Sequence, residues 1–281
     1  MALKILLLGE RGWIGSLLRG EFTRQENVIL LTTTIRVDDT IAMRAELERL
    51  RPHRVVSAIG RTHGFTCPTI DYLEDRLHEN LRDNLYANLS LAFLCQELGV
   101  HFTTLGTGCI FSSTPEKEIF TEEDEPNFFG SAYSLVKGFT DRLLRFFPNA
   151  LNVRIRMPIS SQPHPRNLLS KLCNYKKICS IPNSMSVLDD LLPVLVRAVL
   201  SEETGTLNLV NPGSITHQEI LEMYKELVDS NHEYELITLE EQRKLLKSDR
   251  SNTLLDTTKL EVKYGPIPDI KSSVRRIFMN W

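Results

Sequence analysis

Three glycines behind the first apolar run constrain this chain more than any other feature. Leu3–Leu8 is apolar apart from Lys4, and Gly9, Gly12 and Gly15 follow it in the pattern GxxGxxG. Where a buried strand turns into a helix, such glycines permit a tight turn, let a pyrophosphate approach the backbone and let the helix lie close to the strand. The spacing differs from GxGxxG, so an ordinary strand-to-helix turn is the alternative. We expect the chain to begin with a dinucleotide-binding unit.

The residues of this loop are the first candidates for cofactor contacts, because free N–H groups in a first helical turn attract an anion. The expected contacts in the loop are Gly9, Arg11, Gly12, Trp13, Ile14 and Gly15. The stretch after the third predicted strand adds Ala58 and Gly60. Both residues are small enough to let the two halves of a dinucleotide pass over the edge of the sheet.

The end of the second predicted strand indicates which dinucleotide is bound. Units that bind NAD place a carboxylate about 20 residues after the glycines to hold the ribose hydroxyls, but here three threonines, 32–34, precede Arg36. Hydroxyls and a guanidinium bind a 2′-phosphate, and Arg11 would add a second positive charge. NADPH is therefore the expected cofactor. In the alternative, Arg36 is a solvated surface residue, Asp38 or Asp39 holds the ribose, and NADH is used.

Apolar runs alternate with helical patterns along residues 1–157. The predicted strands are Leu3–Leu8, Val28–Leu31, 54–59, 101–105 and 151–155, and the predicted helices between them include 41–50 and 77–98. This alternation predicts an α/β fold, a Rossmann-type doubly wound parallel sheet with crossover helices. Prolines shorten the later elements, where helices are expected over 188–200 and 217–228. Residues 1–157 are expected to bind NADP, and 158–281 to form mainly a smaller carboxyl-terminal substrate-binding lobe, with some segments returning to the first domain.

Net charge and cysteine content argue against several classes of partner. The formal net charge of −3 argues against a broad surface for nucleic acid or anionic lipid. The start has no signal-peptide pattern, and no apolar stretch reaches the ~20 residues that span a bilayer, so a cytoplasmic protein is expected. The five cysteines show no CxxC pair and no metal-ligand spacing. Neither a disulfide framework nor a metal site is therefore expected.

A tyrosine and a lysine four residues apart form the clearest catalytic pattern. Tyr133 and Lys137 lie in a helical pattern, so their side chains should stack on one face. A neighbouring ammonium favours the ionised phenol, so the pKa of Tyr133 should fall and make it a usable general acid. A predicted strand leads into Thr107 at the carboxyl edge of the sheet, where ligands bind in open α/β folds. Alone, the pair is also consistent with a core tyrosine and a solvated lysine.

The glycine loop, the threonine at the strand end and the YxxxK pair together resemble the extended short-chain dehydrogenase/reductases, a superfamily that includes nucleotide-sugar epimerases and reductases. Longer motifs resemble one family within it, the plant-type nucleotide-rhamnose synthases, which are bifunctional 3,5-epimerase/4-reductases also found in giant viruses. These motifs are GTGCIF at 106–111, RIRMPISS at 154–161, PRNLLSK at 165–171, IPNSMSVLD at 181–189, HQEILEMY at 217–224 and RSNTLLD at 250–256. The resemblance spans nearly the whole chain.

The resemblance implies that a nucleotide-linked 4-keto-6-deoxyhexose is converted into a 6-deoxy-L-hexose such as L-rhamnose with NADPH. A ketone at C4 acidifies the hydrogens on C3 and C5, so inversion needs one group to remove a proton and another to return it from the opposite face. The family assigns these roles to a cysteine and a lysine that match Cys109 and Lys171. Lys137 near Cys109 would favour its thiolate. Without the resemblance, a small buried thiol and a surface lysine are the simpler interpretations.

Further residues are expected around the substrate and the catalytic lysine. The candidates for binding the sugar nucleotide are Arg166, Asn167, Asn183 and Arg250. Arginine binds diphosphates bidentately and asparagine reads uracil or hydroxyl edges, with surface salt bridges as the alternative. The loop 60–68 departs from the plant family, so the hexose can differ at C2, for instance by an acetamido group, and His63 is a further acid/base candidate. Asn84 is expected to anchor Lys137 or its waters beside the cofactor, with helix packing as the alternative.

Two other functions remain open from the sequence. One is a 4-reductase without epimerisation, similar to the dTDP-4-dehydrorhamnose reductases, and the other is a non-catalytic NADP-binding regulatory subunit. UDP is expected as the nucleotide, with dTDP as the alternative. The superfamily also implies a homodimer formed through the helices predicted over 77–98 and 131–147.

Overall fold

The computed structural model describes residues 2–65 and 67–281. The strands among these residues are β1 (Leu3–Leu8), β2 (Val28–Leu31), β3 (Arg54–Ser57), β4 (His101–Thr107), β5 (Ile119–Phe120), β6 (Ala150–Ile155), β7 (Lys177–Ile178), β8 (Gly205–Asn208), β9 (Glu235–Leu236) and β10 (Leu254–Leu255). The helices of the first half are α1 (Trp13–Thr23), α2 (Thr40–Leu50), α3 (Leu77–Leu81), α4 (Ala87–Glu97) and α5 (Ala132–Leu144). Those of the second half are α6 (Leu168–Leu172), α7 (Leu188–Leu200), α8 (His217–Leu227), α9 (Leu239–Leu245), α10 (Thr258–Tyr264) and α11 (Ile270–Phe278).

The main sheet has six parallel strands in the order β2-β1-β3-β4-β6-β8. The chain leaves β1 toward β2 on one side and returns to β3 on the other, so the strand order reverses between β1 and β3. Ligands of open α/β sheets bind at the carboxyl ends of the strands beside such a switch point. The fold therefore places the glycine loop after β1 next to the segment that follows β3.

Helices cover both faces of this sheet, as the apolar side chains on both sides of β1 show. Ile5 and Leu7 pack in one cluster with residues of α1 and α7, whereas Leu6 and Leu8 pack in another with residues of α2 and α4. Successive side chains of a strand point to opposite faces, so this division follows from the period of two. The predicted doubly wound α/β fold is confirmed.

A third apolar cluster lies outside the main sheet. It joins Ile159 and Val187 to side chains of α6, α8 and α11. The intervening segment returns to the sheet, where α7 packs beside α1 and β8 pairs with β6. The division of the chain at residue 157 stays a prediction. Residues 188–208 and helix α10 both pack with the main sheet.

The predicted elements differ from the structure in several places. The strand β8 was missed, since GTLN at 205–208 is a short run without a strong apolar pattern. The helix predicted over 77–98 is divided by one π-helical turn, Arg82–Tyr86. The strand predicted over 54–59 ends at Ser57, and β4 continues two residues beyond the predicted Leu105, to Thr107. None of the described helices combines the length and the apolar composition that crossing a membrane requires.

Candidate active site

The glycine loop has the geometry of a dinucleotide cradle. Gly9 has a φ of +77°, and a Cβ there would lie 3.0 Å from the Ala58 carbonyl carbon. A Cβ on Gly15 would lie 2.1 Å from the Gly9 carbonyl oxygen, so the helix approaches the turn as closely as glycine allows. The α1 helix begins after Gly12 with no side-chain cap and no acidic residue in its first turn. Its first N–H groups are therefore suited to bind a pyrophosphate.

The other predicted loop contacts differ in exposure. The Arg11 side chain is 80% exposed and lies near the Glu10 carboxylate at 3.5 Å. Trp13 is buried and stacks on His164, with ring centroids 5.1 Å apart and planes within 4°. Ile14 packs against the apolar cluster on the α1 face of the sheet. Trp13 therefore connects the glycine loop to the segment before α6.

A cavity of about 310 Å³ lies beside the glycine loop at the end of β2. Its lining includes Arg11, the three threonines 32–34 and Arg49, together with Glu10 and Glu46, whose carboxylates pair with Arg11 and Arg49. Hydroxyls and guanidinium groups of this kind suit a phosphate on the ribose. Arg49 was missed by the sequence reasoning, although it stands in the last turn of α2, the helix that follows β2.

Arg36 does not line this cavity, contrary to expectation. Its guanidinium binds the Asp38 carboxylate bidentately, with both N···O distances 2.9 Å. The adjacent Asp39 caps α2 by accepting a hydrogen bond from the Ala42 N–H at 3.0 Å. Both carboxylates of the NADH alternative are thus engaged in local contacts.

Thr107, Tyr133 and Lys137 converge at the carboxyl end of β4. All three side chains are buried. Tyr133 and Lys137 lie one turn apart on α5, which begins after the Ser131 cap, and the Thr107 hydroxyl lies close enough to the Tyr133 phenol to influence its pKa. The predicted grouping of these side chains is thus present in the structure.

The predicted effect of the lysine on the phenol is wrong. Burial raises the pKa of Tyr133 above its usual value, the neighbouring Cys109 raises it further, and the Thr107 hydrogen bond opposes both. Burial also lowers the pKa of Lys137 to about 8. The Lys137 ammonium donates to the Leu105 carbonyl at 2.9 Å instead of acting on the phenol. Desolvation therefore outweighs the charge of the lysine in this site.

Cys109 stands beside a guanidinium that the sequence analysis did not assign. The Cys109 N–H donates to the Thr107 hydroxyl oxygen at 3.1 Å, which holds the thiol at the end of β4. Arg156 Nη1 donates to the Cys109 Sγ at 3.4 Å and to the Gly108 carbonyl at 3.3 Å. The cation next to the thiol is thus Arg156, whereas Lys137 had been expected. Only its place in the motif RIRMPISS could have indicated it.

Lys171 lies among other basic side chains. Its ammonium is half-buried and donates to the Pro68 carbonyl at 3.4 Å. Burial lowers the pKa of Lys171, and the charges of Arg166 and Arg250 lower it further. His63 contacts Arg166, with His63 Nε2 and Arg166 Nη2 2.7 Å apart. The predicted residues His63, Arg166, Lys171 and Arg250 therefore form one basic cluster.

Neighbouring groups influence two members of this cluster, His63 and Arg250. Burial lowers the pKa of His63, and the charges of Arg166 and Lys171 lower it further, so the imidazole is favoured in its neutral form. Arg250 donates to the Asp71 carboxylate at 2.9 Å. Thr66, in the loop that carries His63, lies outside the described residues.

Asn84 does not contact Lys137, contrary to expectation. Its Oδ1 accepts from the Arg61 N–H at 2.9 Å and its Nδ2 donates to the Arg61 carbonyl at 2.8 Å. The Asn84 carbonyl accepts from the Thr140 hydroxyl on α5 at 2.8 Å. The π-helical turn thus lets one residue hold both the segment after β3 and the catalytic helix.

The two asparagines predicted to bind the sugar nucleotide are buried and fully hydrogen-bonded. Asn167 caps α6 by accepting from the Leu169 N–H at 3.2 Å and donates to the Ser160 carbonyl at 2.7 Å. Asn183 Oδ1 accepts from Arg156 and from the Thr253 N–H, and its Nδ2 donates to the Ile181 carbonyl. Neither amide has a free donor for a ligand, so the prediction for both is revised to a structural role.

A metal centre has no ligand set in the part of the chain that the structure describes. No group of three or more His, Cys, Asp or Glu side chains could hold an ion there.

Known proteins resemble this chain over its whole length. The crystal structure of the L780 UDP-rhamnose synthase from Acanthamoeba polyphaga mimivirus matches 100% of both chains, with a TM-score of 0.95 and 45% identity. The bifunctional dTDP-4-dehydrorhamnose 3,5-epimerase/dTDP-4-dehydrorhamnose reductase of Arabidopsis thaliana is 38% identical over 96% of this chain and 90% of that protein. The crystal structure of a Bacillus anthracis dTDP-4-dehydrorhamnose reductase in complex with NADP shares the fold, with a TM-score of 0.83, 14% identity and coverage of 100% and 99%. No protein-family model matches the sequence.

The parallel sheet, the glycine cradle and the buried tyrosine–lysine pair define an extended short-chain dehydrogenase/reductase. Within that superfamily, the chain belongs to the nucleotide-rhamnose synthases, the bifunctional 3,5-epimerase/4-reductases of plants and giant viruses. The family predicted from the motifs is confirmed, and so is the class of enzyme, which is both an oxidoreductase and an isomerase.

Proposed function

We propose that the protein converts a UDP-4-keto-6-deoxyhexose into UDP-L-rhamnose, or into its 2-acetamido analogue, by epimerisation at C3 and C5 and NADPH-dependent reduction at C4. One observation carries the proposal: the Cys109 thiol lies at the same strand end as Thr107 and next to Tyr133. A group for proton transfer thereby shares one pocket with a reductase centre. The UDP-rhamnose synthase and the bifunctional plant enzyme support the same two reactions.

Epimerisation uses Cys109 and Lys171 as the proton carriers. Cys109 as thiolate removes the proton from the carbon next to the C4 ketone, and the Lys171 ammonium returns one from the opposite face. The lowered pKa of Lys171 favours this transfer, because the ammonium releases its proton more readily than a solvated lysine. Ser251 bonds to the guanidinium beside Cys109, and the adjacent Arg250 acts on Lys171, so one short segment connects both carriers.

The Tyr133 phenol and the Thr107 hydroxyl hold the oxygen on C4 while negative charge develops there. Hydrogen bonds aimed at such an oxygen stabilise the enolate. The raised pKa of Tyr133 keeps the phenol protonated, so that it can donate this bond and later give its proton to the C4 oxygen during reduction. NADPH, when bound, supplies the hydride that reduces C4.

The residues of the glycine loop hold the cofactor in this proposal. The first turn of α1 binds the pyrophosphate, and the cavity with Arg11 and Arg49 takes the 2′-phosphate. Lys137, fixed by the Leu105 carbonyl, positions the nicotinamide ribose next to Tyr133. The Bacillus anthracis reductase of the same fold binds NADP, which supports this choice of cofactor.

The basic cluster holds the diphosphate of the sugar nucleotide. Arg166 and Arg250 bring two guanidinium groups to Lys171, and although Arg250 also pairs with Asp71, this group of three cations suits a ligand with two negative phosphates. His63 Nε2 accepts from Arg166, so the neutral imidazole carries its proton on Nδ1 and can donate a hydrogen bond to a sugar oxygen. The loop that carries His63 is therefore the segment that selects the substituent at C2.

The protein forms a homodimer in this proposal through the outer faces of α4 and α5. Phe93 on α4 and Phe139 on α5 are about half exposed, and Leu135 and Leu143 lie one turn before and after Phe139. Residues four apart share a helix face, so these side chains form an apolar stripe. A second copy that presents the same stripe would cover it.

The test compares Cys109→Ser with the wild type in D2O. We expect the wild type to incorporate deuterium at C3 and C5 of UDP-4-keto-6-deoxyglucose and to oxidise NADPH. Cys109→Ser should lose the deuterium incorporation by about 10²-fold or more but still reduce UDP-4-keto-L-rhamnose that has already been epimerised. Cys95→Ala, which removes a buried thiol on α4, is the matched control.

Three outcomes would contradict parts of this proposal. An unchanged net reaction in Cys109→Ser would rule out the thiol as a proton carrier. Absence of deuterium incorporation in the wild type, together with reduction of the epimerised sugar, would identify a 4-reductase alone. Absence of NADPH oxidation with either sugar, and with the 2-acetamido analogue, would identify a non-catalytic protein.

A further inference from the structure

Arg156 is a buried cation without an acidic partner. It is 1% exposed, and among residues 2–65 and 67–281 it forms no salt bridge. Its hydrogen bonds go to neutral oxygens of Gly108, Asn183 and Ser251, apart from the one to the Cys109 sulfur. Its Nε has no partner in the described part of the chain. The positive charge is therefore held in place but not neutralised.

Arg154, at the end of β6 and two residues before Arg156, shows how the fold balances the charge of a buried arginine elsewhere. Its guanidinium binds the Asp141 carboxylate through Nε and Nη2, both at 2.8 Å. An uncompensated buried charge destabilises a fold by several kcal/mol, roughly, so unpaired examples are retained where they serve a site. Burial lowers the pKa of Arg156, and the negative charge of Cys109 opposes that shift.

We infer that Arg156 is a positioning residue that stabilises the Cys109 thiolate and so keeps this cysteine in the form that removes a proton from the sugar. The inference deepens the proposed function and rests on the role given there to Cys109. Of the described cysteines, Cys109 is the one whose sulfur accepts from a guanidinium. Elsewhere in the chain, burial raises the pKa of Cys95 to about 12 and that of Cys173 to about 11, so those thiols stay protonated.

Asn183 and Ser251 fix the direction of the guanidinium. Asn183 Oδ1 and the Ser251 carbonyl both accept from Nη2, and the Ser251 hydroxyl lies 3.1 Å from Nη1. These neutral acceptors hold the group without cancelling its charge. An aspartate in place of Asn183 would keep the shape and add the missing negative charge.

The test measures how fast iodoacetamide alkylates Cys109 as a function of pH, with the modified peptide quantified by mass spectrometry. Only the thiolate reacts, so the rate reports its population. We expect Arg156→Gln to slow alkylation about 10-fold at pH 7 and to move the midpoint of the pH profile upward. Arg156→Lys, which keeps a positive charge, should restore part of the rate.

Two further variants separate this effect from a loss of folding. Asn183→Asp retains the arginine and should also slow alkylation at pH 7. Arg154→Lys perturbs the other buried arginine, which lies on β6, and should lower the melting temperature while leaving the pH profile of Cys109 in place. The same midpoint in the wild type, Arg156→Gln and Asn183→Asp, all of them folded, would overturn the inference.

A failure of the proposed function would be detected by the deuterium-exchange experiment, and not by the alkylation experiment. Retention of C3 and C5 exchange by Cys109→Ser removes the catalytic role of the thiol, whereas the alkylation profiles test the pairing with Arg156 directly. If the proposed function and the inference about Arg156 are both correct, Arg156→Gln should lose C3 and C5 exchange and retain reduction of the epimerised sugar.

Discussion

At the scale of single residues, desolvation controls the catalytic groups more than their nearest charges do. Lys137 and Tyr133 are both buried, and each is driven toward its neutral form. A neutral phenol is the form that can donate a proton to an alkoxide. Burial therefore keeps the Tyr133 phenol protonated. The same burial destabilises the charged form of Lys137.

This burial predicts that Lys137→Met stabilises the free protein. Because burial lowers the pKa of Lys137 from 10.5 to about 8, the folded state binds fewer protons than the unfolded state between these two values. The contribution of Lys137 to stability is thus least favourable below about pH 8 and recovers as pH rises toward 10.5. We expect the variant to gain about 2 kcal/mol at pH 7, measured by urea unfolding.

The difference between Lys137→Met and the wild type should then shrink as unfolding is repeated from pH 8 to pH 10.5. Reductase activity should be lost in the variant at every pH. A less stable variant at pH 7, or a difference that does not change with pH, would show that the ammonium is well solvated in the folded protein.

At the scale of elements, a buried ion pair fixes the catalytic helix to the sheet. Asp141 on α5 accepts from Arg154 on β6 and from Asn152 Nδ2 at 2.7 Å. Both partners of the ion pair are almost completely buried. Tyr133 and Lys137 lie on the same helix, so this ion pair helps to fix their position relative to the carboxyl end of β4.

Asp141→Asn should therefore destabilise the protein strongly, by about 3 kcal/mol, because it leaves the buried Arg154 without a counter-charge. Thermal unfolding followed by circular dichroism measures the change. The neighbouring Arg142→Ala removes an exposed ion pair with Glu125, 3.1 Å apart, and should cost less than about 1 kcal/mol. Equal losses in the two variants would contradict the role assigned to the buried pair.

At the scale of the whole molecule, one sheet carries both reaction centres and leaves one helical face uncovered. The glycine cradle and the thiol lie at carboxyl ends of strands in the same six-stranded sheet, whereas Lys171 lies on α6. The apolar stripe on α4 and α5 faces away from the lobe's own core. Assembly through this stripe would bury it without covering the site.

Phe139→Asp should convert the proposed dimer into a monomer, because it places a charge in the apolar stripe. Light scattering coupled to size-exclusion chromatography measures the mass, with 32.2 kDa expected for one chain. Val262→Asp changes another exposed apolar side chain, on α10, and should leave the mass of the wild type unchanged. A wild-type protein that is already monomeric would contradict the proposal.

Local patterns determined the sheet, the cradle and the family of this protein. Strand and helix periods, the glycine spacing and the Tyr133/Lys137 pair depend on neighbours within a few residues, so they can be recognised in one dimension. The same holds for Thr107 at the end of β4, whereas the role of Cys109 was predicted only through the resemblance to the family. The short strand β8 was not predicted, because its pairing with β6, and not its own composition, makes it a strand.

Only the tertiary structure decided which polar side chains face the ligand and which hold the fold. Asn167 and Asn183 have the chemistry of ligand-binding residues, but packing encloses them among backbone groups. Arg156 reaches Cys109 across 47 positions and Ser251 across 95. The physical reason is that desolvation and charge pairing depend on all atoms that surround a group, and the chain brings most of those atoms from distant positions.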